Sequence, residues 1–178
     1  MSVHDFASEL AYSEQASEED FWMKVYAKAF PSLSGQISNP NNNEAQRRGI
    51  DRVLLLNNGR VLCIDEKKRR EVWNDILLEY ISADTTRSPG WIEKDLAIDY
   101  LAYAFMPTQR CYLYDWLMLR RAWLHFGGQW KKEYRHVQAR NQGYTTHAVA
   151  VPIPVLRNAV SKAGVIDVRL CGATKSEG

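Results

Sequence analysis

The chain has 178 residues, 46% of them hydrophobic, with 23 Lys and Arg against 21 Asp and Glu, so it can bury one sizeable core and is expected to form a single domain over 1–178. No apolar run is long enough for a membrane helix, the acidic start is no secretory signal, and Cys63, Cys111 and Cys171 are too few and too scattered for a disulfide framework. A cytoplasmic protein with reduced thiols and no membrane partner is the expectation. The net charge of +2 is unevenly spread: residues 1–43 hold two basic against six acidic side chains, and the remainder holds 21 against 15, which modestly suits a polyanion partner.

In chain order, Ser17-Glu18-Glu19-Asp20 opens an apolar stripe of Phe21, Trp22, Val25, Tyr26 and Ala29, the pattern of a capped amphipathic helix that ends before Pro31. Residues 32–43, with Pro40-Asn41-Asn42-Asn43, read as the longest irregular connection. Apolar runs at 53–56 and 61–64 then bracket Asn57-Asn58-Gly59, so two antiparallel strands are predicted. Neither run alternates with polar residues, which predicts cover on both faces.

A third strand is expected at 75–81, an ordered turn with an anchoring tryptophan at Pro89-Gly90-Trp91-Ile92, and a second hairpin from 99–106 to 110–114, turned at Pro107-Thr108. Asp115 is placed to cap a helix through about Phe126, with Trp116, Leu119, Trp123 and Phe126 at helical spacing and an interruption at Gly127-Gly128. A strand at 145–152, a short helix at 154–162 and a last strand at 165–170 follow. A core at 17–115 with a helix-and-strand extension at 116–178 is the resulting division.

The first hairpin carries the chemistry. It has Asp51 at its entrance and Asp65-Glu66-Lys67-Lys68 at its exit. A three-residue loop sets Asp51 opposite Asp65, with Lys67 on the same side. A two-residue Asn58-Gly59 turn slips the register by one and sets Asp51 against Glu66, with Lys68 as the basic companion. Sequence leaves both open. Aspartates are hard oxygen ligands suited to Mg²⁺, and a lysine beside them can orient or deprotonate an attacking water and stabilise developing charge.

With Asp51 as first acid, Asp65 as second and Lys67 as lysine, the stretch resembles the PD-(D/E)XK nuclease superfamily, of the kind found in phage and repair nucleases. Ile50 stands where that family has a proline. The resemblance implies an α/β fold of the restriction-endonuclease-like type: a mixed central β-sheet flanked by helices, here with an additional C-terminal helix-strand layer. It implies Mg²⁺ as cofactor, with Mn²⁺ able to substitute, and DNA as substrate, RNA remaining open. Glu66 is the alternative second acid. The family often adds a ligand from its first helix, which brings in Glu18 or Glu19; simple stabilisation of the helix N-terminus is the plainer account of those acids. Glu79, an acid in an apolar strand, needs a partner or a metal unless it faces water.

Lys68, Arg69 and Arg70, with Arg120, Arg121, Lys131 and Lys132, are suited to tracking a phosphate backbone, and Arg135 and Arg140 extend the series; a solvated helix face explains the later ones equally well. His4, His125, His136 and His147 lack zinc spacing, with His147 placed best to approach a site. No phosphate-cradling loop or nucleophile elbow is present. The sequence thus points to a metal-dependent endonuclease or exonuclease. Behind it stand a non-catalytic nucleic-acid-binding or protein-interaction module that keeps the fold, and an assembly protein whose hairpin charges serve solubility. Cutting both strands of a duplex calls for two sites, which a homodimer would supply.

Overall fold

The computed structural model describes residues 6–38, 43–161 and 166–169; His4, Cys171, residues 40–42 and the ends of the last expected strand lie outside them. The architecture is mixed α/β. Helix α1 (Phe6–Ala29) leads into β1 (Leu33–Ser38), a short α2 (Asn43–Arg47), β2 (Arg52–Leu56), β3 (Val61–Arg69), β4 (Asp75–Ala83) and β5 (Ser88–Pro89). Then come β6 (Tyr100–Phe105), β7 (Arg110–Asp115), α3 (Trp116–Glu133), β8 (His136–Asn141), β9 (Tyr144–Pro152), α4 (Ile153–Val160) and β10 (Ile166–Arg169).

The strands form two sheets, ordered β1-β2-β3-β6-β7-β10 and β5-β4-β9-β8. In the first, β3 and β6 run parallel while the other pairs are antiparallel. A parallel pair needs a long crossover, and residues 70–99 supply it by leaving the first sheet, running through β4 and β5 of the second, and returning. The expected third strand therefore exists but belongs to the other sheet. The C-terminal third is likewise no added layer: β9 pairs with β4 along its length, β8 with β9, and β10 closes the edge beside β7.

Alternation along β3 and β6 separates two cores. Leu54, Leu56, Leu62, Ile64, Ala102, Ala104 and Leu113 face α1 and bury Phe21, Trp22, Val25 and Tyr26. Leu101, Tyr103, Phe105, Tyr112 and Tyr114 face the second sheet and meet Ile76, Leu78, Val149, Val151 and the apolar sides of α3 and α4. Each large apolar side chain so enclosed contributes about 1.5–3 kcal/mol. The face opposite α1 is thus covered by a sheet together with helices, where helices alone were expected.

Several expectations change in physical terms. Helix α1 begins well before Ser17, so that residue is no cap and Glu18 and Glu19 do not sit at a positive helix end. An edge strand, β1, occupies part of the supposed connection; its Leu-Ser-Gly-Gln-Ile-Ser sequence has little apolar alternation because β1 is paired on one side only, with Ile37 exposed. The β2–β3 hairpin is open on one face near its tip, where Leu55 and Val61 are 47% and 54% exposed. Asp115 does cap α3, accepting from the Met118 N–H at 3.0 Å, but the helix continues through Gly127-Gly128. Gly127 lies against the Trp123 ring, and burial of Trp130 one turn on offsets the helix cost of two glycines. Among the described residues no helix is long and apolar enough to cross a membrane.

Candidate metal centre

The turn decides the site. Gly59 takes a left-handed conformation at φ +80° and the Leu56 N–H donates to the Arg60 carbonyl at 2.9 Å, closing a three-residue loop. The ladder runs from Leu55–Val61 to Arg52–Ile64; beyond it the Asp51 N–H donates to the Ile64 carbonyl at 2.9 Å, and the Asp51 carboxyl lies within hydrogen-bonding reach of Asp65. Of the two registers open in the sequence, the structure has the first.

Asp65 and Lys67 therefore point to the second-sheet side of β3. Asp65 is 2% exposed, and the ammonium of Lys67, 32% exposed, pairs with its Oδ1. Asp51 Oδ2 accepts from the Glu66 N–H at 2.8 Å. The second oxygen of Asp65, Oδ2, is buried and receives no hydrogen bond. Burial pushes the Asp65 carboxyl up to about 7; Lys67 opposes this, while Asp51, close enough to hydrogen-bond and charged alike, adds to it. Two carboxylates have no proton to offer each other when ionised, so Asp51 can partner Asp65 only through a shared proton or a cation. Lys67 alone leaves the pair short of positive charge.

Glu79 reaches the same region from across the interface between the sheets. It lies in β4, between β5 and β9, and is neither an edge residue nor a neighbour of β3 in its own sheet. Burial raises its pKa, while the charges of Lys94 and Lys67 and a hydrogen bond from the Trp91 N–H oppose the rise. The turn that carries Lys94 is clamped to β4: Gly90 N–H donates to the Tyr80 carbonyl at 3.0 Å and Ile92 N–H to the Glu79 carbonyl at 3.2 Å. A Cβ on Gly90 would lie 2.2 Å from the Glu79 carbonyl oxygen, so only glycine fits. Trp91 is buried, as its anchoring role requires.

Glu66 points the opposite way, under α1. Its Oε1 accepts from Arg52 Nε at 2.6 Å and from the Tyr26 hydroxyl at 2.9 Å. Arg52, 1% exposed, also holds Glu19 through two hydrogen bonds of 2.5 and 2.8 Å. Burial alone would lower the Arg52 pKa, but its hydrogen bonds to Glu19 and Glu66 carry it upward, and Arg52 in turn holds the Glu19 carboxyl low. Glu18 pairs with Lys68 at 2.5 Å. A cavity of about 230 Å³ opens here, lined by Glu18, Glu19, Asp51, Arg52, Glu66 and Lys68 among others. Asp51 thus borders both faces of the hairpin.

The basic residues are dispersed. Arg69 pairs with Asp75 at 2.7 Å, Arg120 donates to the Ile92 carbonyl, and Lys131 lies 5.3 Å from the rings of both Tyr80 and Trp123; Arg70, Arg121 and Lys132 are exposed. His147 lies 3.7 Å from Asp84 and His136 accepts or donates at the Tyr80 hydroxyl, both on the second sheet. Cys63 is a free thiol, and the Cys111 Sγ donates to the Tyr112 carbonyl at 3.8 Å. Among the described residues no group of three or more His, Cys, Asp or Glu side chains is placed to hold a metal ion.

Arg52 is the buried charge beside the site that sequence reading passed over. An arginine opening an apolar strand needs a partner as much as Glu79 does, and that signal would have found it. No family model, curated protein or solved structure matches the chain.

Proposed function

We propose that the protein is a metal-dependent nuclease that hydrolyses DNA phosphodiester bonds, built on a restriction-endonuclease-like core of α1, β1–β3 and β6. Asp51 and Asp65 are the metal ligands and Lys67 the catalytic base or charge stabiliser. One observation carries the reading: an otherwise sealed carboxylate, Asp65, keeps one oxygen without a donor beside a second carboxylate and a lysine. The mixed sheet with a helix on one face, and the three-residue turn together with the closeness of the Asp51 and Asp65 carboxyls, support it.

The donor set fits Mg²⁺ better than a transition metal, because it is all oxygen and because Mg²⁺ is commonly bound by only one or two carboxylates, with water and substrate phosphate completing its shell. When bound, the ion supplies charge neutralisation at the phosphate oxygens. The protein's own groups do the rest. Asp51 is fixed by the Glu66 N–H, so its carboxylate is oriented before ligand arrives. Lys67 is partly open to solvent and can exchange its Asp65 contact for a water or a phosphate oxygen, taking or giving a proton at Nζ. Glu79 and Lys94 border the lysine and tune its field.

The α1-side cavity gives a second placement, with Asp51, Glu66 and Glu18 as ligands. Arg52 argues against it, since its guanidinium already occupies oxygens of both Glu66 and Glu19. Cleavage of plasmid and labelled oligonucleotide in Mg²⁺ or Mn²⁺ tests both. Asp51→Ala, Asp65→Asn and Lys67→Ala are expected to abolish cutting with folding intact, and Glu66→Gln to spare it. An active Asp65→Asn beside an inactive Glu66→Gln moves the centre under α1; no cleavage by the wild type under any divalent cation rejects the nuclease.

A further inference from the structure

Four strands of the first sheet end in a row of cross-strand neighbours on the face that carries Asp65 and Lys67. Arg69 pairs with Phe105, Phe105 with Arg110, and Arg110 with Arg169. Beside this row lies a cavity of about 300 Å³, walled by Trp73, Asn74, Phe105, Arg110, Tyr112 and Arg169 among others. Its size is at the lower end for small-molecule sites.

The walls alternate aromatic surface with guanidinium groups. The Arg110 guanidinium lies 4.6 Å from the centre of the Tyr112 ring, and that of Arg69 is 5.4 Å from Trp73 and 5.9 Å from Phe105. Arg135 approaches Trp73 to 5.0 Å from another element. Asp75 binds both Arg69 and Arg135, at 2.7 and 3.3 Å, and Glu71 accepts from the Trp73 indole N–H at 3.1 Å. Trp73 is therefore held in place on several sides, yet it remains 41% exposed. A large ring fixed by charged neighbours but left open to solvent is costly to maintain for packing alone, and it is what base stacking requires. Arg69, Arg110, Arg135 and Arg169 bring four guanidinium-bearing residues to this end of the first sheet and its neighbour Trp73.

We propose that this cavity binds one unpaired nucleotide of a single-stranded DNA segment, its base against Trp73 and its phosphate at Arg110 and Arg169. A base inside a duplex is stacked and cannot enter such a pocket without being extruded. Arg69, the cross-strand neighbour of Phe105 in the pocket wall, lies four residues along β3 from Asp65, about 13 Å at the usual strand rise. That is on the order of four stacked nucleotide steps of ~3.4 Å. The substrate class that follows, resting on the nuclease reading for the position of the cut, is a strand that is single or frayed a few nucleotides from the scissile bond.

The test is binding of a short fluorescent oligothymidylate, and of a blunt duplex of the same length, followed by anisotropy in EDTA so that cleavage plays no part. The wild type is expected to prefer the single strand. Trp73→Leu and Arg110→Gln are expected to weaken it 5- to 100-fold, the range of ~1–3 kcal/mol per stacked base. Trp73→Phe should recover most of the affinity and Lys132→Gln should change it less than twofold. Unchanged affinity in Trp73→Leu, equal loss in Trp73→Phe and Trp73→Leu, or a wild type that favours the duplex overturns the proposal. A wild type that binds single strands through Trp73 but cuts nothing in Mg²⁺ removes the nuclease and keeps the pocket.

Discussion

Asp65→Asn in metal-free buffer probes the buried carboxylate directly. The unfolded chain holds this group at its ordinary 3.8, whereas burial in the folded chain raises it to about 7. Below pH ~4 both states carry the proton and the wild type bears no penalty. Between pH ~4 and ~7 the unfolded chain has released the proton and the folded one retains it, so wild-type stability falls as pH rises. Above pH ~7 the whole cost is present: three decades of proton affinity at ~1.4 kcal/mol each, or about 4 kcal/mol. Asparagine has no such titration. Urea unfolding at pH steps from 4 to 8.5 should therefore show variant and wild type alike at the acid end, with the variant about 4 kcal/mol more stable at the alkaline end. Mn²⁺ should narrow the alkaline gap to about 1 kcal/mol, stabilising the wild type by ~2.7 kcal/mol at a hundredfold excess over its dissociation constant and leaving Asp65→Asn unmoved. Parallel pH profiles for the two proteins would refute the buried-carboxylate argument, and equal Mn²⁺ effects would take the metal away from Asp65.

Other outcomes follow from the same geometry. Lys67→Ala should lower the cleavage rate by ~10²- to 10⁴-fold with little change in Mn²⁺ affinity by calorimetry, whereas Asp51→Ala should lose both. Arg52→Met should destabilise by about 3–5 kcal/mol in urea, because Glu66 is left charged and buried without its guanidinium; Arg52→Met with Glu66→Gln should regain part of that loss. Gly90→Ala should cost at least ~1–3 kcal/mol, since its Cβ would meet backbone of β4 at 2.2 Å and the turn must move; limited proteolysis between residues 84 and 95 should speed up in step.

The hairpin and its turn were more legible than the fold around them. Gly59 after two asparagines marks a short turn, and once the loop length is set the period of two decides which acids meet. The two lengths differ by one residue, and sequence carries no term that separates them; the structure closes the three-residue loop through Leu56 and Arg60. Strand membership is harder still. Residues 75–81 look like a strand from their own composition, but which sheet they join depends on β9, some seventy residues later. Nothing local in 75–81 encodes that partner. Gly127-Gly128 fails in the same way: propensity favours a break, and the deciding contact is the fit of Gly127 against Trp123.

Charges in apolar strands are the exception, because the cost of burying them makes each one a statement about its surroundings. Arg52, Asp65, Glu66 and Glu79 all stand in such strands, and the structure sorts them by what satisfies each. Arg52, Glu19 and Glu66 hydrogen-bond one another beneath α1, where one guanidinium bridges both carboxylates at 2.5–2.8 Å and the Tyr26 hydroxyl adds a further donor to Glu66. On the other side of the same hairpin the account does not close: Asp65 has Lys67 on one oxygen and none on the other, with Asp51 adding negative charge beside it. Adjacent residues of one strand thus present a bridged ion-pair network and an incomplete one. The carboxylates under α1 already share a buried guanidinium, whereas the open oxygen of Asp65 would gain from any cation that enters, and that asymmetry is why we propose the metal on the face of Asp65.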